Sequence, residues 1–413
     1  MTTIAGWVSR VEIFLNTDRL RAWNLVLAVA TLLCGLGYLA LSSGGMDPKG
    51  DPIGTDFISF YAASKLAIAG HPEAAYMPEM HQAAENAIFG RQVEYSAFFY
   101  PPIYLLYCLP LAFLPYFLSL ALWQGTTFAA YWHVTRRFAG PHLDWLAIAA
   151  FPAVLVNLGH GQNAFLSAAL FGAATLALNT RPTFAGVLLG CLAYKPQLGL
   201  VIPFALLAAR RWKTFAAASV TVLALAAIAT LAFGADTWSA FLANTPLAAA
   251  VLERGLVDAY KLQSTYAAVR VLGGSNAMAS AAQGLITVGV IAVVIWVTAR
   301  APRRHVEPPL MALAALLASP FLLDYDLVLL ALPLAWLFAE ARQTGFLPYE
   351  KVTMFVAYIL PLFSRMIAKE AGLPLAPLVI AALFVVVVRR VATDVQPVVS
   401  SPPLRAPRGR QYE

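Results

Sequence analysis

Asp56 stands in the segment Gly54-Thr55-Asp56-Phe57-Ile58-Ser59-Phe60-Tyr61-Ala62-Ala63-Ser64-Lys65, directly beyond the first long apolar stretch. A carboxylate held at such a boundary can take the proton of a hydroxyl as that hydroxyl attacks, which is general-base chemistry. The same position also suits a helix N-cap, with Thr55 or Asp56 accepting from the free amides of the next helix. Three further polar clusters break apolar runs: Gly161-Gln162-Asn163, Lys195-Pro196-Gln197 and Ser319-Pro320…Asp324-Tyr325-Asp326. Ionisable groups at membrane depth are costly and face a cavity or one another. Lys195 reads either as a site cation or as a lysine whose stem snorkels towards the boundary. Pro196 breaks the helix beside it, and backbone freed in this way needs polar surroundings. Asp324 and Asp326 lie two apart, so on a helix they diverge and cannot form one carboxylate pair. Either caps the following helix or orients a hydroxyl, and Gln162 and Asn163 offer the same choice. Farther on, Lys261-Leu262-Gln263-Ser264-Thr265-Tyr266 and Arg270 combine cations with hydrogen-bonding groups, as a solvated loop helix or an anion site would.

The elements that must hold these residues are read from composition. Of 413 residues, 60% are apolar and 12% charged, about half the charged content of a soluble domain, so the chain is a polytopic, all-α membrane protein. The formal charge of +7 is no nucleic-acid signal, because Lys and Arg sit at the ends of apolar segments, where the positive-inside rule puts them. Cys34, Cys108 and Cys191 lie in apolar runs and read as packing residues. The six histidines show no metal spacing, and no Walker loop, GxSxG or CxxC is present, which disfavours nucleotide-powered and zinc-dependent chemistry.

Hydropathy predicts about 11–13 spans in one domain over 1–392, and a disordered, Pro-, Ser- and Arg-rich cytoplasmic tail over 393–413. Residues 1–21 read as a short interfacial helix with basic residues, and the first span, retained rather than cleaved, covers 22–42. The acid-rich first loop, 43–97, and a second loop, 234–275, fall outside. Within the first loop, 56–69 and 78–89 have helical spacing and are too short and too polar to span, so they are expected along the membrane surface. Residues 98–138 admit two readings, two spans or one span plus a re-entrant piece, and these place Arg136-Arg137 on opposite sides. With the basic clusters inside, the three polar breaks fall on the outer side with Asp56.

In its ordered motifs the chain resembles glycosyltransferase family 87, polyprenol-phosphate-mannose-dependent α-mannosyltransferases of the glycosyltransferase-C fold. The matching pieces are Asp56 with Phe60-Tyr61-Ala62-Ala63, Gly70 and Tyr76; Phe99-Tyr100-Pro101-Pro102; Gly161-Gln162-Asn163; Lys195-Pro196-Gln197; and Ser319-Pro320…Asp324-Tyr325-Asp326. The resemblance implies that Asp56 is the catalytic base of an inverting transfer at the outer face of a bacterial inner membrane. It also implies a lipid-linked monophosphate sugar donor, mannose favoured, and a lipid or glycan acceptor. Lys195, Lys261 and Arg270 are then candidates for the donor phosphate. Tyr61, Tyr100, Gln162, Asn163, Gln197, Gln263, Asp324 and Asp326 are candidates for sugar or acceptor. No cofactor is required, since one phosphate can leave with side-chain cations alone; a divalent ion between Asp56 and Asp326 is the metal-dependent variant. The rival reading is a lipid or solute transporter, for which broken segments near Lys195 also suit a midplane site. Against it, the long first loop has no counterpart later in the chain.

Overall fold

The computed structural model describes residues 14–141, 143–300 and 307–392. The expected cytoplasmic tail and most of the interfacial amino-terminal helix lie outside the described residues. Among the described residues every element is helical, with three isolated β-bridges. Among the described residues four helices are long and apolar enough to cross a membrane: Asp18–Leu41, Trp212–Phe233, Asn276–Arg300 and Glu350–Ala371. The remaining apolar chain is largely in shorter pieces such as Ala164–Ala177, Pro182–Tyr194 and Pro196–Ala208.

In chain order, α1 (Thr17–Leu41) starts earlier than the expected span, because the Asn16 side chain caps it by accepting from Arg19 N at 3.0 Å. The first loop holds α2 (Phe57–Ile68) and α3 (Pro78–Phe89), close to the boundaries read from spacing. Their expected placement along the membrane surface holds poorly for α2. Its residues Phe57–Ser64 are all buried, enclosed by α3 and by the short pieces Pro72–Tyr76, Ile103–Cys108 and Leu109–Phe113. The reason lies in its apolar content on every side, a pattern that belongs inside a fold rather than on an interface.

Residues 98–138 form the short pieces Ile103–Cys108 and Leu109–Phe113, then one long helix, α4 (Tyr116–Ala139). Both ends of the short stretch are tied to the first loop. Tyr76 donates to Tyr100 O at 3.0 Å, Tyr61 to Leu114 O at 2.8 Å, and Tyr116 to Ile53 O at 2.9 Å. Both ends of the stretch therefore meet the same loop, the arrangement that the re-entrant reading expects. Arg136-Arg137 then sit about 30 Å along α4 from Tyr116 at 1.5 Å per residue.

Next come α5 (Pro152–His160), α6 (Ala164–Ala177), α7 (Pro182–Gly190), α8 (Trp212–Phe233), α9 (Ala235–Glu253), α10 (Thr265–Val271) and α11 (Asn276–Arg300). Helices α7 and α8 pack by close backbone approach. A Cβ added at Gly186 would lie 2.4 Å from Thr214 O, and one at Gly190 would lie 2.6 Å from Thr221 Cβ. Small residues four apart let helices approach in lipid, where dispersion contacts replace the hydrophobic effect as the source of association.

The centre of the fold is α12 (Glu307–Ala318), the 3-10 stretch Asp324–Leu330 and α13 (Ala331–Thr344). Leu310–Ala318 and Leu327–Leu337 are buried throughout. A helix apolar on all faces belongs in the middle of a bundle. Pro320 ends this column's first half, and the freed segment carries Asp324, Tyr325 and Asp326 into the core. Helices α14 (Glu350–Ala371) and α15 (Ala376–Ala392) pack against it.

Candidate active site

The first-loop turn before α2 and the turn after α5 meet at two glycines. Gly54 and Gly161 both have positive φ, and a Cβ at Gly161 would fall 2.6 Å from Phe57 Cβ and 3.3 Å from Gly54 Cα. Only glycine permits this approach together with this backbone. The contact is sealed by Asp56 N donating to His160 O at 3.0 Å. Asp56 occupies the N-cap position of α2, yet its backbone is already helical and its side chain caps no amide. The N-cap reading therefore fails. The carboxylate turns instead to Gln162, whose Nε2 donates to Oδ2 at 3.0 Å. His160 Nδ1 lies 3.8 Å from Oδ1 and 2.8 Å from Thr55 Oγ1. Oδ1 thus keeps a free lone-pair direction, on a side chain 29% exposed.

Gln162 is fixed on every side. Its Nε2 also reaches Tyr325 OH at 3.2 Å, and its Oε1 accepts from Tyr100 OH at 3.3 Å and from Asn163 N at 2.9 Å. Its backbone carbonyl accepts from Gln124 and Asn157, at 2.9 and 3.1 Å. A base held by such a saturated partner needs little reorganisation before it acts.

Asp56 opens on a cavity of about 300 Å³, at the lower end of the range for small-ligand sites. Its lining mixes both charges, and Asp324 stands with Arg365. Asp51, Asp56 and Glu94 come from the first loop, whereas Lys261 and Arg365 come from the second loop and α14. Thr55, Tyr95, Ser96, His160, Asp324 and Tyr325 complete the lining. The second loop is held there by Gln263 N donating to Leu322 O at 2.6 Å, beside a bridge between Leu262 and Leu323. Lys261 Nζ lies 3.3 Å from Asp258. The Tyr260 hydroxyl bound to Asp258, with Lys261 and Arg365 nearby, holds that carboxyl below its ordinary value. Burial and the neighbouring Glu85 push the Tyr95 hydroxyl up to about 12, which keeps it a neutral donor at working pH.

The remaining residues singled out in the sequence fall into three places. Lys195 and Asp326 are sealed together behind Tyr325, Nζ to Oδ1 at 2.7 Å, both at most 5% exposed. Lys195 also lies 5.3 Å from the Tyr325 ring centroid. Asp326 further accepts from Leu323 N at 3.3 Å, and Asp324 accepts from Tyr325 N at 3.0 Å, so both acids do brace their own turn. Asn163 donates to Tyr104 OH at 3.0 Å, one layer behind Gln162. Gln263 is buried beneath the lining. Tyr61, Gln197 and Arg270 are not brought to the cavity. Tyr61 is spent on Leu114 O, Gln197 is half-buried on the turn after Lys195, and Arg270 closes its own helix end by donating to Gly274 O at 2.6 Å. Among the described residues no group of three His, Cys, Asp or Glu side chains is arranged to hold a metal ion. Asp56 and Asp326, the pair considered for a divalent ion, have taken Gln162 and Lys195 as partners.

Sequence reasoning missed Arg365 and His160 as lining residues. Arg365 carries a visible signal, an arginine inside the apolar run Pro361-Leu362-Phe363-Ser364-Arg365-Met366-Ile367, as costly there as Lys195. His160 was weighed only as a metal ligand, and its use of backbone and Nδ1 to bracket Thr55-Asp56 leaves no trace in spacing.

The family model for glycosyltransferase family 87 matches residues 98–323. The chain belongs to glycosyltransferase family 87. No curated protein and no solved structure gives a match. The matched family region supplies the Gln162 cradle, Lys195 and Lys261, while Asp56 and Arg365 enter the cavity from either side of it. As a family 87 member with long apolar helices, the protein is a membrane glycosyltransferase that takes a sugar from a donor to an acceptor.

Proposed function

We propose that Asp56 is the general base of a single inverting displacement, moving a sugar, mannose favoured, from a polyprenyl-phosphate donor to an acceptor hydroxyl. The supporting observation is the Asp56 carboxylate at the cavity wall, one oxygen fixed by Gln162 at 3.0 Å and the other open. A hydroxyl is a weak nucleophile until its proton is taken as the new bond forms, and a positioned carboxylate contributes about 10²–10⁴-fold by doing so. The proton passes to Asp56 Oδ1 while the anomeric carbon–phosphate bond breaks and the electron pair leaves with the phosphate. Charge growing on that phosphate is met by Lys261, which reaches the same cavity from the second loop. Lys195, locked to Asp326, fixes the Tyr325 face of the cavity. The prenyl tail lies between helices with the sugar at the outer boundary of a bacterial inner membrane, consistent with Arg136-Arg137, Arg300 and Arg389-Arg390 at the far ends of their helices.

The test is transfer by purified Asp56→Asn protein from labelled polyprenyl-phosphate mannose, with arabinose and glucose donors in parallel. The expected outcome is a loss of about 10²–10⁴-fold in kcat, with donor binding within about threefold of wild type. Transfer at the wild-type rate would remove Asp56 from the mechanism. Transport of the donor without transfer would instead favour a carrier.

A further inference from the structure

We infer that Arg365 is a second phosphate-binding cation of this site, acting with Lys261, so that the cavity orients a phosphate-bearing amphiphile with its anion away from Asp56. The inference rests on the glycosyl-transfer reading for its ligand class but uses a residue outside the family-matched segment. Arg365 lies on α14 and lines the same cavity as Asp56 and Lys261. Its side chain is 39% exposed, and one of its nitrogens donates to Asp324 Oδ2 at 3.2 Å. A guanidinium carries five N–H donors in a planar fork. The Asp324 contact therefore tethers it and leaves donors directed at the cavity. Asp324 is 5% exposed and accepts from Tyr325 N, so the tether is itself rigid.

Charge placement decides where an anion can go. On the first-loop wall, Asp51, Asp56 and Glu94 repel it. Lys261 and Arg365 both line the cavity and both bear on Asp258; each is paired with one carboxylate, Asp258 or Asp324, and the guanidinium keeps donors beyond its pair. Planar two-point recognition of a phosphate by arginine, beside a lysine point charge, is an efficient pairing. The donor's phosphate beside these two cations puts the anomeric carbon between the leaving group and Asp56, as a one-step displacement requires.

The experiment measures binding of dodecyl phosphate to full-length protein in neutral detergent by tryptophan fluorescence, with dodecyl maltoside as the uncharged control. Transfer kinetics are measured on the same preparations. Arg365→Gln is expected to raise the Kd for dodecyl phosphate at least tenfold and to raise KM for donor while leaving KM for acceptor within twofold. Arg365→Lys is expected to recover a large part of the binding. Asp324→Asn, which removes the opposing charge but keeps the guanidinium and an accepting oxygen, is expected to keep its Kd for dodecyl phosphate within threefold of wild type, as is Asp56→Asn. Unchanged binding by Arg365→Gln would overturn the inference. So would an equal loss in Asp324→Asn, since the pair would then be structural. Wild-type protein that binds dodecyl phosphate through Arg365 yet transfers no sugar would leave the anion site standing and sink the transferase mechanism instead.

Discussion

The two halves of α14 each carry an ion pair, about 22 Å apart at 1.5 Å per residue, and the two pairs are built differently. At the start of the helix Glu350, fully buried, meets Arg390 through Nε and Nη2, both at 2.5 Å. Arg390 also donates to Thr344 Oγ1 and Gly345 O, and Glu350 accepts from Leu347 N. Little hydrogen-bonding capacity is left over. In the second half Arg365 gives one contact to Asp324 and opens on the cavity. A saturated, water-excluded pair is a fastener, since any ligand would have to break it. A pair with donors to spare, at a cavity wall, is a place where a ligand can add without replacing anything.

Substitutions in the two halves sharpen that contrast. Arg390→Ala strands the buried Glu350 carboxylate, and the expected loss is about 3–5 kcal/mol of stability, read by unfolding in mixed micelles with activity per folded molecule unchanged. Lys195→Met strands Asp326 in the same way. Its cost is expected to be of the same order as that of Arg390→Ala, because Asp326 keeps the Leu323 amide just as Glu350 keeps that of Leu347. Adding Asp326→Leu is expected to restore most of the loss, as removal of both buried charges is often near neutral. A double variant no more stable than Lys195→Met alone would show that the pair's hydrogen bonds, not its charges, matter. Arg365→Ala is expected to cost less than either Arg390→Ala or Lys195→Met, because Asp324, although only 5% exposed, lines the cavity and keeps the Tyr325 amide, so water can take the place of the guanidinium. A stability loss there matching that of Arg390 would erase the distinction between the two halves.

The sequence made the site's membership more legible than its layering. The all-helical membrane class, α2 and α3, and the convergence of Asp56, Gln162 and the Asp324–Asp326 break were all readable, because each depends on local spacing or on a polar residue in an apolar run. The burial of α2 was not. A short helix apolar on all sides looks like an interfacial one until the pieces that cover it, from Pro72 to Phe113, are seen around it. Nor could spacing tell that Lys195 is consumed by Asp326, 131 residues away, while Arg365 faces the cavity. Both are cations in apolar segments, and only the tertiary partner separates them. Residues 98–138 allowed two topologies for the same reason, until three tyrosine hydroxyls tied both ends of the short stretch to one loop.

The central claim is that a sugar is held between Asp56 and the cations Lys261 and Arg365. A structure of the full-length protein with a non-hydrolysable polyprenyl-phosphonate sugar bound tests it most directly. The account predicts the phosphonate beside Lys261 and Arg365, and the anomeric carbon within one hydroxyl's reach of Asp56 Oδ1. Density for the sugar elsewhere, or the phosphonate against Asp56, would contradict it.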